Sequence, residues 1–119
     1  MSETIFGKII AGEVPAERLY EDEHCIAIND VNPQAPIHVL IIPKKPIPML
    51  SQAGEEDSEL LGHLMLAVNK VARQLGVDDG YRLVVNNGEA GGQTVFHLHL
   101  HLIAGWQLSE ADLHKSGRQ

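Results

Sequence analysis

Three histidines alternate with leucines in the stretch between Phe96 and Ile103, which reads His-Leu-His-Leu-His-Leu. Strict alternation is typical of a half-buried strand, because successive side chains point to opposite faces of a sheet. We therefore expect His97, His99 and His101 on one face, with neighbours about 6.5–7 Å apart. Phe96 and the leucines are expected on the other face, packed on a core.

Imidazoles at this spacing could carry out nucleophilic and acid–base chemistry together. Histidine titrates near neutral pH and can attack, donate a proton or accept one. Two rings at positions i and i+2 can both reach a small group lying across the strand. One ring could then attack an electrophilic centre while the next protonates the leaving group.

The residues just before the histidines favour a phosphate as that group. Gly91 and Gly92 let the main chain approach an anion closely, while Gln93 and Thr94 add an amide and a hydroxyl. Two other interpretations of the histidines remain open at this point. They could be structural or surface residues, or they could chelate zinc through the His-x-His pair and a third imidazole.

Composition restricts the class of protein. The chain of 119 residues carries a formal net charge of −7, so we expect one domain over residues 1–119 and no nucleic-acid polymer as partner. Cys25 is the only cysteine, which excludes an intrachain disulfide and is expected to be a small buried side chain. The pattern shows no signal peptide and no membrane span, and we expect a cytoplasmic protein.

The remaining pattern predicts helices and strands around the histidine strand. A short helix is expected over 5–11, with Thr4 as its N-cap, and a long amphipathic helix over 55–75. Strands are expected over 18–21, 25–29, 38–43 and 81–86, and the strand over 38–43 reads as central because it is continuously apolar. The 81–86 strand should pair antiparallel with the histidine strand. The tail from about residue 106 shows no clear pattern.

Several polar residues fall at strand ends, where they could serve a site. Asp30 ends one strand and could accept ribose hydroxyls, and His38 opens the next and could support the histidines from behind. Asn86 should lie near the histidines and could hydrogen-bond a substrate. By contrast, His24 and His63 read as solvent-facing side chains.

These motifs together resemble the histidine triad (HIT) superfamily, in particular its Hint branch. Residues 97–103 fit the signature His-φ-His-φ-His-φ-φ, where φ is apolar. The resemblance extends over about residues 4–105 and includes 4–10, 32–38, 61–65, 80–86 and 91–95. It implies an α+β fold, with an antiparallel sheet of about five strands, one long helix and a short N-terminal helix. It also implies a homodimer in which the sheet continues from one protomer into the other.

The resemblance implies a purine nucleoside phosphoramidase that needs no cofactor and no metal. His99 would attack the α-phosphorus, and water would hydrolyse the nucleotidyl-histidine to the monophosphate. His101 would contact the phosphate and assist the leaving amine, His97 would support the site, and His38 would orient the nucleophilic ring. The implied substrate-binding residues are Asp30 at the ribose, Asn86, Gln93 and Thr94 near the phosphate, and Phe6, Ile9, Ile28, Asn29 and Val31 around the purine.

Other functions remain compatible with these residues. The chain could bind purine nucleotides and act through partners, or hydrolyse dinucleoside polyphosphates as a sister branch does. Ala104-Gly105-Trp106 departs from the usual sequence of the branch, which has two glycines there followed by a smaller or basic residue. This departure affects the outer rim of the site. The sequence does not determine which amine is the preferred leaving group.

Overall fold

A computed structural model of the chain describes residues 3–107 and 109–110. Within them, one antiparallel sheet of five strands has the order β1-β2-β3-β5-β4. The elements are α1 (Ile5–Ile10), β1 (Tyr20–Glu21), β2 (Cys25–Asn29), β3 (Ile37–Pro43), α2 (Ser58–Gln74), β4 (Arg82–Val84) and β5 (Leu100–Ala104). The predicted α+β class, the long helix and the short N-terminal helix are confirmed. The predicted pairing of the last two strands is also confirmed.

Strand β3 lies at the centre of the sheet, as its continuous apolar sequence predicts. It pairs with β2 on one side and with β5 on the other. Alternation along these strands divides their side chains between two faces. Val39 and Ile41 pack toward α2, whereas Leu40 and Ile42 pack toward α1. The histidines therefore share a face of the sheet with α1, and α2 covers the opposite face.

Helix α2 supports the sheet through one apolar stripe. Leu64, Val68 and Val71 recur at helical spacing and are almost completely buried. A 3₁₀ turn over Glu55–Asp57 precedes the helix, so the predicted start at residue 55 lies one turn too early. Its side chains still place negative charge at the helix N-terminus, where the helix dipole favours it.

Helix α1 is short, and interactions at both of its ends hold it in place. The Thr4 hydroxyl accepts a hydrogen bond from the Gly7 N–H at 3.1 Å, which confirms the predicted N-cap. At the other end, the Arg18 guanidinium donates to the carbonyl oxygens of Ile9 at 2.6 Å and Ile10 at 3.5 Å. These contacts hold Phe6 and Ile9 against the sheet, where both are buried.

The expected histidine strand is shorter than its sequence pattern. Strand β5 begins at Leu100, so His97 and His99 lie in the irregular segment before it. The neighbouring segment after Pro43 contains Pro46 and Pro48, which have no N–H to donate to a ladder. A single bond, from the Leu98 N–H to the Ile47 carbonyl at 2.7 Å, joins the two segments. Alternation nevertheless continues, since Leu98, Leu100 and Leu102 all enter the core toward α2.

Two aromatic residues lie at the surface. Phe96, which was expected beside the leucines, is 42% exposed because the irregular segment turns it outward, and that prediction is wrong. Trp106 is also exposed. Among the described residues, none of the helices has the length and apolar character that crossing a bilayer requires.

Candidate active site

His97 is a buried side chain whose Nε2 makes a hydrogen bond to the main chain. Its Nε2–H donates to the Pro43 carbonyl at 2.7 Å, and the residue is 2% exposed. Burial lowers the pKa of its ring, an effect that the hydrogen bond to Pro43 partly opposes. The contact joins the irregular histidine segment to the end of β3. His97 therefore holds the segment in place, and its supporting role in a reaction stays a prediction.

His99 presents a free nitrogen lone pair. Its Nδ1–H donates to the carbonyl of His97 at 2.7 Å, so the neutral ring carries its lone pair on Nε2. Burial lowers the pKa of the ring and favours this neutral form. The edge of the Phe6 ring packs against His99, with ring centroids 4.9 Å apart. A neutral imidazole with an unshared Nε2 lone pair is the form that a nucleophile requires.

His101 and His38 form a second, linked pair. The Gln34 N–H donates to His38 Nδ1 at 2.9 Å, so the proton of the neutral His38 ring lies on Nε2. That Nε2–H faces His101 Nδ1 at 2.9 Å, and His101 must accept it there and carry its own proton on Nε2. Burial, with the neighbouring His99 and His38, lowers the pKa of His101 to about 3.

This bond corrects the role expected for His38. His38 orients His101, whereas the ring of His99 is oriented by the His97 main chain. The sequence indicated that His38 lay behind the cluster but could not say which ring it contacts. Antiparallel pairing of β3 with β5 decides this, because the register places Leu40 opposite His101 and His38 opposite Ile103. His38 therefore lies one step diagonally from His101 on the same face.

Asp30 lies behind His38. Its Oδ1 accepts from the Asn32 N–H at 2.8 Å, and its Oδ2 lies 3.3 Å from His38 Nε2. The side chains of both residues are completely buried. Burial lowers the pKa of His38, and the charge of Asp30 opposes that shift. The carboxylate expected at the ribose thus also belongs to a buried chain from Asp30 through His38 to His101.

Three buried polar atoms in this region have no hydrogen-bond partner among the described residues. They are His99 Nε2, His101 Nε2 and Asn86 Oδ1. The first is a lone pair, the second carries a proton, and the third is an acceptor, by the tautomers derived above. The rings of His99 and His101 are adjacent, with centroids 5.1 Å apart. Unpartnered buried polar groups are costly. The two adjacent rings of His99 and His101, each with an unpartnered nitrogen, therefore indicate a place for a polar ligand.

The residues expected near the phosphate separate into two kinds. The Asn86 Nδ2 group donates to Gly91, and Thr94 lies exposed in a cleft of about 400 Å³ with Glu89 and Phe96. Gln93 is different, because its amide group makes three hydrogen bonds within the protein. It accepts from the Gly88 N–H and donates to the carbonyls of Pro48 and Val95, at 2.8–2.9 Å. Gln93 therefore shapes the loop, and both of its amide hydrogens are used there.

Three of the five residues expected around the purine lie together in the structure. Phe6, Ile9 and Ile28 pack in one apolar cluster on the histidine face of the sheet. Asn29 is exposed and follows Ile28 in the strand, so its side chain points to the opposite face. Val31 is 98% exposed and contacts almost nothing. Neither residue lies in the cluster, and their assignment to the purine pocket stays a prediction.

Comparison with known proteins identifies the family of this chain. A family model described as the HIT domain matches residues 11–108, and the chain therefore belongs to the HIT family. It is 61% identical over 103 residues to an uncharacterized HIT-like protein of Synechocystis sp. The aligned region covers 87% of this chain and 90% of that protein.

Solved structures show the same fold. A HIT family hydrolase from Legionella pneumophila superposes with a TM-score of 0.87 at 44% identity, covering 91% of this chain and 97% of that one. A histidine triad nucleotide-binding protein from Candida albicans superposes with a TM-score of 0.77 at 32% identity, covering 95% and 89%. The fold and histidine cluster of this chain are those of a HIT family hydrolase-like protein.

Proposed function

We propose that this protein is a purine nucleoside phosphoramidase, which cleaves the P–N bond of nucleoside 5′-monophosphoramidates. The observation that carries this proposal is the pair of buried Nε2 atoms without partners on His99 and His101. One offers a lone pair and the other a proton, and the rings lie side by side. A phosphoramidate needs both, since its phosphorus must be attacked and its nitrogen protonated before the bond breaks.

The reaction would proceed in two balanced steps. Binding of the anionic substrate is accompanied by uptake of one proton by the linked pair of His38 and His101. His99 Nε2 then attacks the phosphorus, the P–N bond breaks, and the amine leaves with the proton of His101 Nε2, so that the pair returns to its neutral form. Water then attacks the nucleotidyl-histidine and releases the nucleoside monophosphate, while its proton returns to His101. Burial and the neighbouring His99 and His38 hold the pKa of His101 at about 3, below the range in which the ring is an effective acid. The negative charge of a bound phosphate would raise that pKa and so prepare the acid.

The surrounding residues support a nucleotide as substrate. The apolar cluster of Phe6, Ile9 and Ile28 offers a surface for a purine, and Thr94 has its hydroxyl in an open cleft close in sequence to the histidines. The Candida albicans structure described above is a nucleotide-binding protein with the same fold. The function implied by the resemblance and the tautomers of the two histidines therefore favour the same chemistry.

The test is turnover of an adenosine phosphoramidate by His99→Ala. We expect turnover to fall by at least a thousandfold while the folded structure persists, because removal of the nucleophile prevents the first step. His24→Ala serves as the matched control, since it removes an exposed imidazole outside the cluster. Mass spectrometry of the wild-type protein quenched during turnover should find the nucleotidyl group on the peptide containing His99.

Two results would contradict the proposal. Full activity of His99→Ala would exclude it as the nucleophile. Tight binding of purine monophosphate without turnover of any phosphoramidate would instead favour a protein that acts through partners. A substrate panel that includes dinucleoside polyphosphates would detect the hydrolase activity of the sister branch.

We also propose that the protein works as a homodimer joined along β4. This strand is outermost in the sheet and pairs only with β5 among the described residues. Next to it, a hollow of about 110 Å³ has only apolar lining residues, which include Leu50, Met65 and Val85. Met65 and Leu66 on α2 are 50% and 60% exposed. An unpaired edge beside exposed apolar side chains suits association with a second copy.

A further inference from the structure

A second cluster of chemically active side chains lies on the opposite face of the sheet from the triad. Asp22 is in the turn between β1 and β2, Cys25 begins β2, and His63 lies on α2. His63 Nε2 is 2.7 Å from Asp22 Oδ2. One donor atom from each of the three residues lies within 4.8 Å of the other two. The Cys25 side chain points toward α2, so this cluster is separate from the histidines of the proposed reaction.

We propose that Asp22, Cys25 and His63 form a zinc site. Thiolate, imidazole and carboxylate are the three donor types that zinc binds in proteins. Zinc–ligand lengths of about 2.0–2.3 Å in tetrahedral geometry place the donor atoms roughly 3.3–3.6 Å apart. The observed separations, from 2.7 Å to at most 4.8 Å, bracket that spacing. Small side-chain rotations bring the donor atoms to that spacing. As the zinc bonds form, the thiol proton leaves to solvent, and the His63 proton that the bond to Asp22 holds on Nε2 is replaced by one on the other ring nitrogen through exchange with solvent.

The surroundings of Asp22 hold its carboxylate in the orientation that a metal ligand needs. Oδ1 accepts from the N–H groups of His24 and Cys25, at 2.8 and 3.0 Å. The Tyr20 hydroxyl donates to Oδ2 at 2.7 Å. Hydrogen bonds of this kind orient the ligands of known metal sites.

The cluster combines a dry interior with access from solvent. Cys25 is completely buried, while His63 and His24 line a cleft of about 760 Å³. The His24 ring packs against that of His63, with centroids 4.4 Å apart. An ion could reach Asp22 and His63 from the cleft, and water or His24 would supply its fourth ligand. His24 and His63, both expected to be solvent-facing, thus have specific neighbours.

Cobalt(II) provides a specific test, because cobalt bound to a thiolate gives a charge-transfer band in the near ultraviolet. Cys25 is the only cysteine of the chain, so such a band can arise only from this cluster. The full-length protein, treated with a chelator and then dialysed, is titrated with cobalt(II). We expect a band that saturates at one ion per chain and disappears when zinc is added. Asp30, His38 and His101 contain no sulfur and cannot produce it.

Variants distinguish the proposed ligands from general attraction by the cleft. His63→Gln should weaken cobalt binding at least tenfold, and its side chain is partly exposed, so the variant should fold. Glu59→Gln is the matched control, because Glu59 lines the same cleft one turn earlier on α2 without belonging to the cluster. We expect it to leave cobalt binding unchanged. Cys25→Ser should abolish the band, provided that circular dichroism shows a folded protein.

Two outcomes would overturn the proposal. The first is the absence of the charge-transfer band at saturating cobalt in the wild-type protein, which would show that the three side chains are only a hydrogen-bonded network. The second is equal weakening of cobalt binding in His63→Gln and Glu59→Gln, which would show that the charges of the cleft hold the ion. Neither readout depends on enzymatic activity, so the zinc proposal stands or falls separately from the proposed function.

Discussion

At the scale of single residues, burial and tautomer give the site its chemistry. His97, His99 and His101 are each at most 2% exposed, and each accepts or donates one defined hydrogen bond within the chain. Desolvation disfavours the charged ring and lowers the pKa of all three. The tautomers derived above leave the Nε2 lone pair of His99 and the Nε2–H of His101 without a partner among the described residues.

The lowered histidine pKa values predict that stability depends on pH. An unfolded histidine has a pKa near 6.5, so below that pH the unfolded chain binds protons that the buried rings do not. The free energy of unfolding should therefore decrease as pH falls from 7 toward 4.5. Each buried ring contributes a slope of up to about 1.4 kcal/mol per pH unit well below pH 6.5.

Urea denaturation between pH 7 and pH 4.5 measures this dependence. The pKa of His101 lies at about 3, so its contribution persists over the whole interval. His101→Gln should have the smaller slope, by up to about 1.4 kcal/mol per pH unit. Parallel curves for the variant and the wild-type protein would contradict the assignment of a neutral, buried His101.

Asp30 supports a second prediction at this scale. We expect Asp30→Asn to lower kcat about tenfold, because His38 loses the charged group 3.3 Å from its Nε2 and orients His101 less well. Kinetics with an adenosine phosphoramidate and its 2′,3′-dideoxy analogue separate this effect from ribose binding. An equal loss of kcat with both substrates supports the action through His38. A loss confined to the substrate that carries hydroxyls would leave Asp30 as a ribose ligand only.

At the scale of elements, α1 closes the histidine face of the sheet. Phe6 packs against His99, and the helix is held by its Thr4 cap and by Arg18. A helix of six residues has little stability of its own, so these end contacts determine whether it stays in place. The Nε2 atom of His99 is buried in this structure, and Phe6 of the helix packs against its ring.

The N-cap of α1 allows a matched pair of variants. Thr4→Ala should lower the free energy of unfolding by about 1 kcal/mol, because the Gly7 N–H loses its acceptor. The same variant should change KM for a nucleotide substrate, since Phe6 and Ile9 belong to the helix. Thr4→Ser retains a hydroxyl and should behave like the wild-type protein in both measurements. Equal behaviour of the Ala and Ser variants would show that the cap does not hold the helix.

At the scale of the whole molecule, the sheet separates two clusters of polar side chains in space. One face carries the triad beneath α1, and the other carries the core beneath α2 together with Asp22, Cys25 and His63. The sheet ends at β4, beside exposed apolar side chains of α2. This arrangement leaves an edge available for a second copy without covering the triad face.

The proposed dimer predicts a difference between two exposed apolar positions. Met65→Glu should dissociate the dimer, because it places a charge in the apolar surface beside β4. Ile5→Glu is the matched control, since Ile5 is 45% exposed on α1, away from that edge. Sedimentation velocity of both variants measures the association. A monomeric wild-type protein, or a Met65→Glu variant that stays dimeric, would contradict the proposed interface.

The sequence alone determined the fold class, the central strand and the face that the histidines share. Period-two alternation and helical spacing report burial directly, so Leu98, Leu100 and Leu102 in the core and the stripe of α2 could be predicted. The resemblance identified the family, because its motif is a local run of residues. These inferences succeeded because burial patterns and the family motif depend on residues close together in the sequence.

Only the tertiary structure decided which side chains meet. The His38–His101 bond joins residues 63 positions apart, and the Asp22–His63 contact joins residues 41 apart. Gln93 had the right type for a substrate ligand, yet both of its amide hydrogens are bonded to the carbonyls of Pro48 and Val95. Val31 is 98% exposed and lies outside the apolar cluster. Such contacts depend on strand register and loop path, and these arise from packing across the whole chain rather than from local pattern.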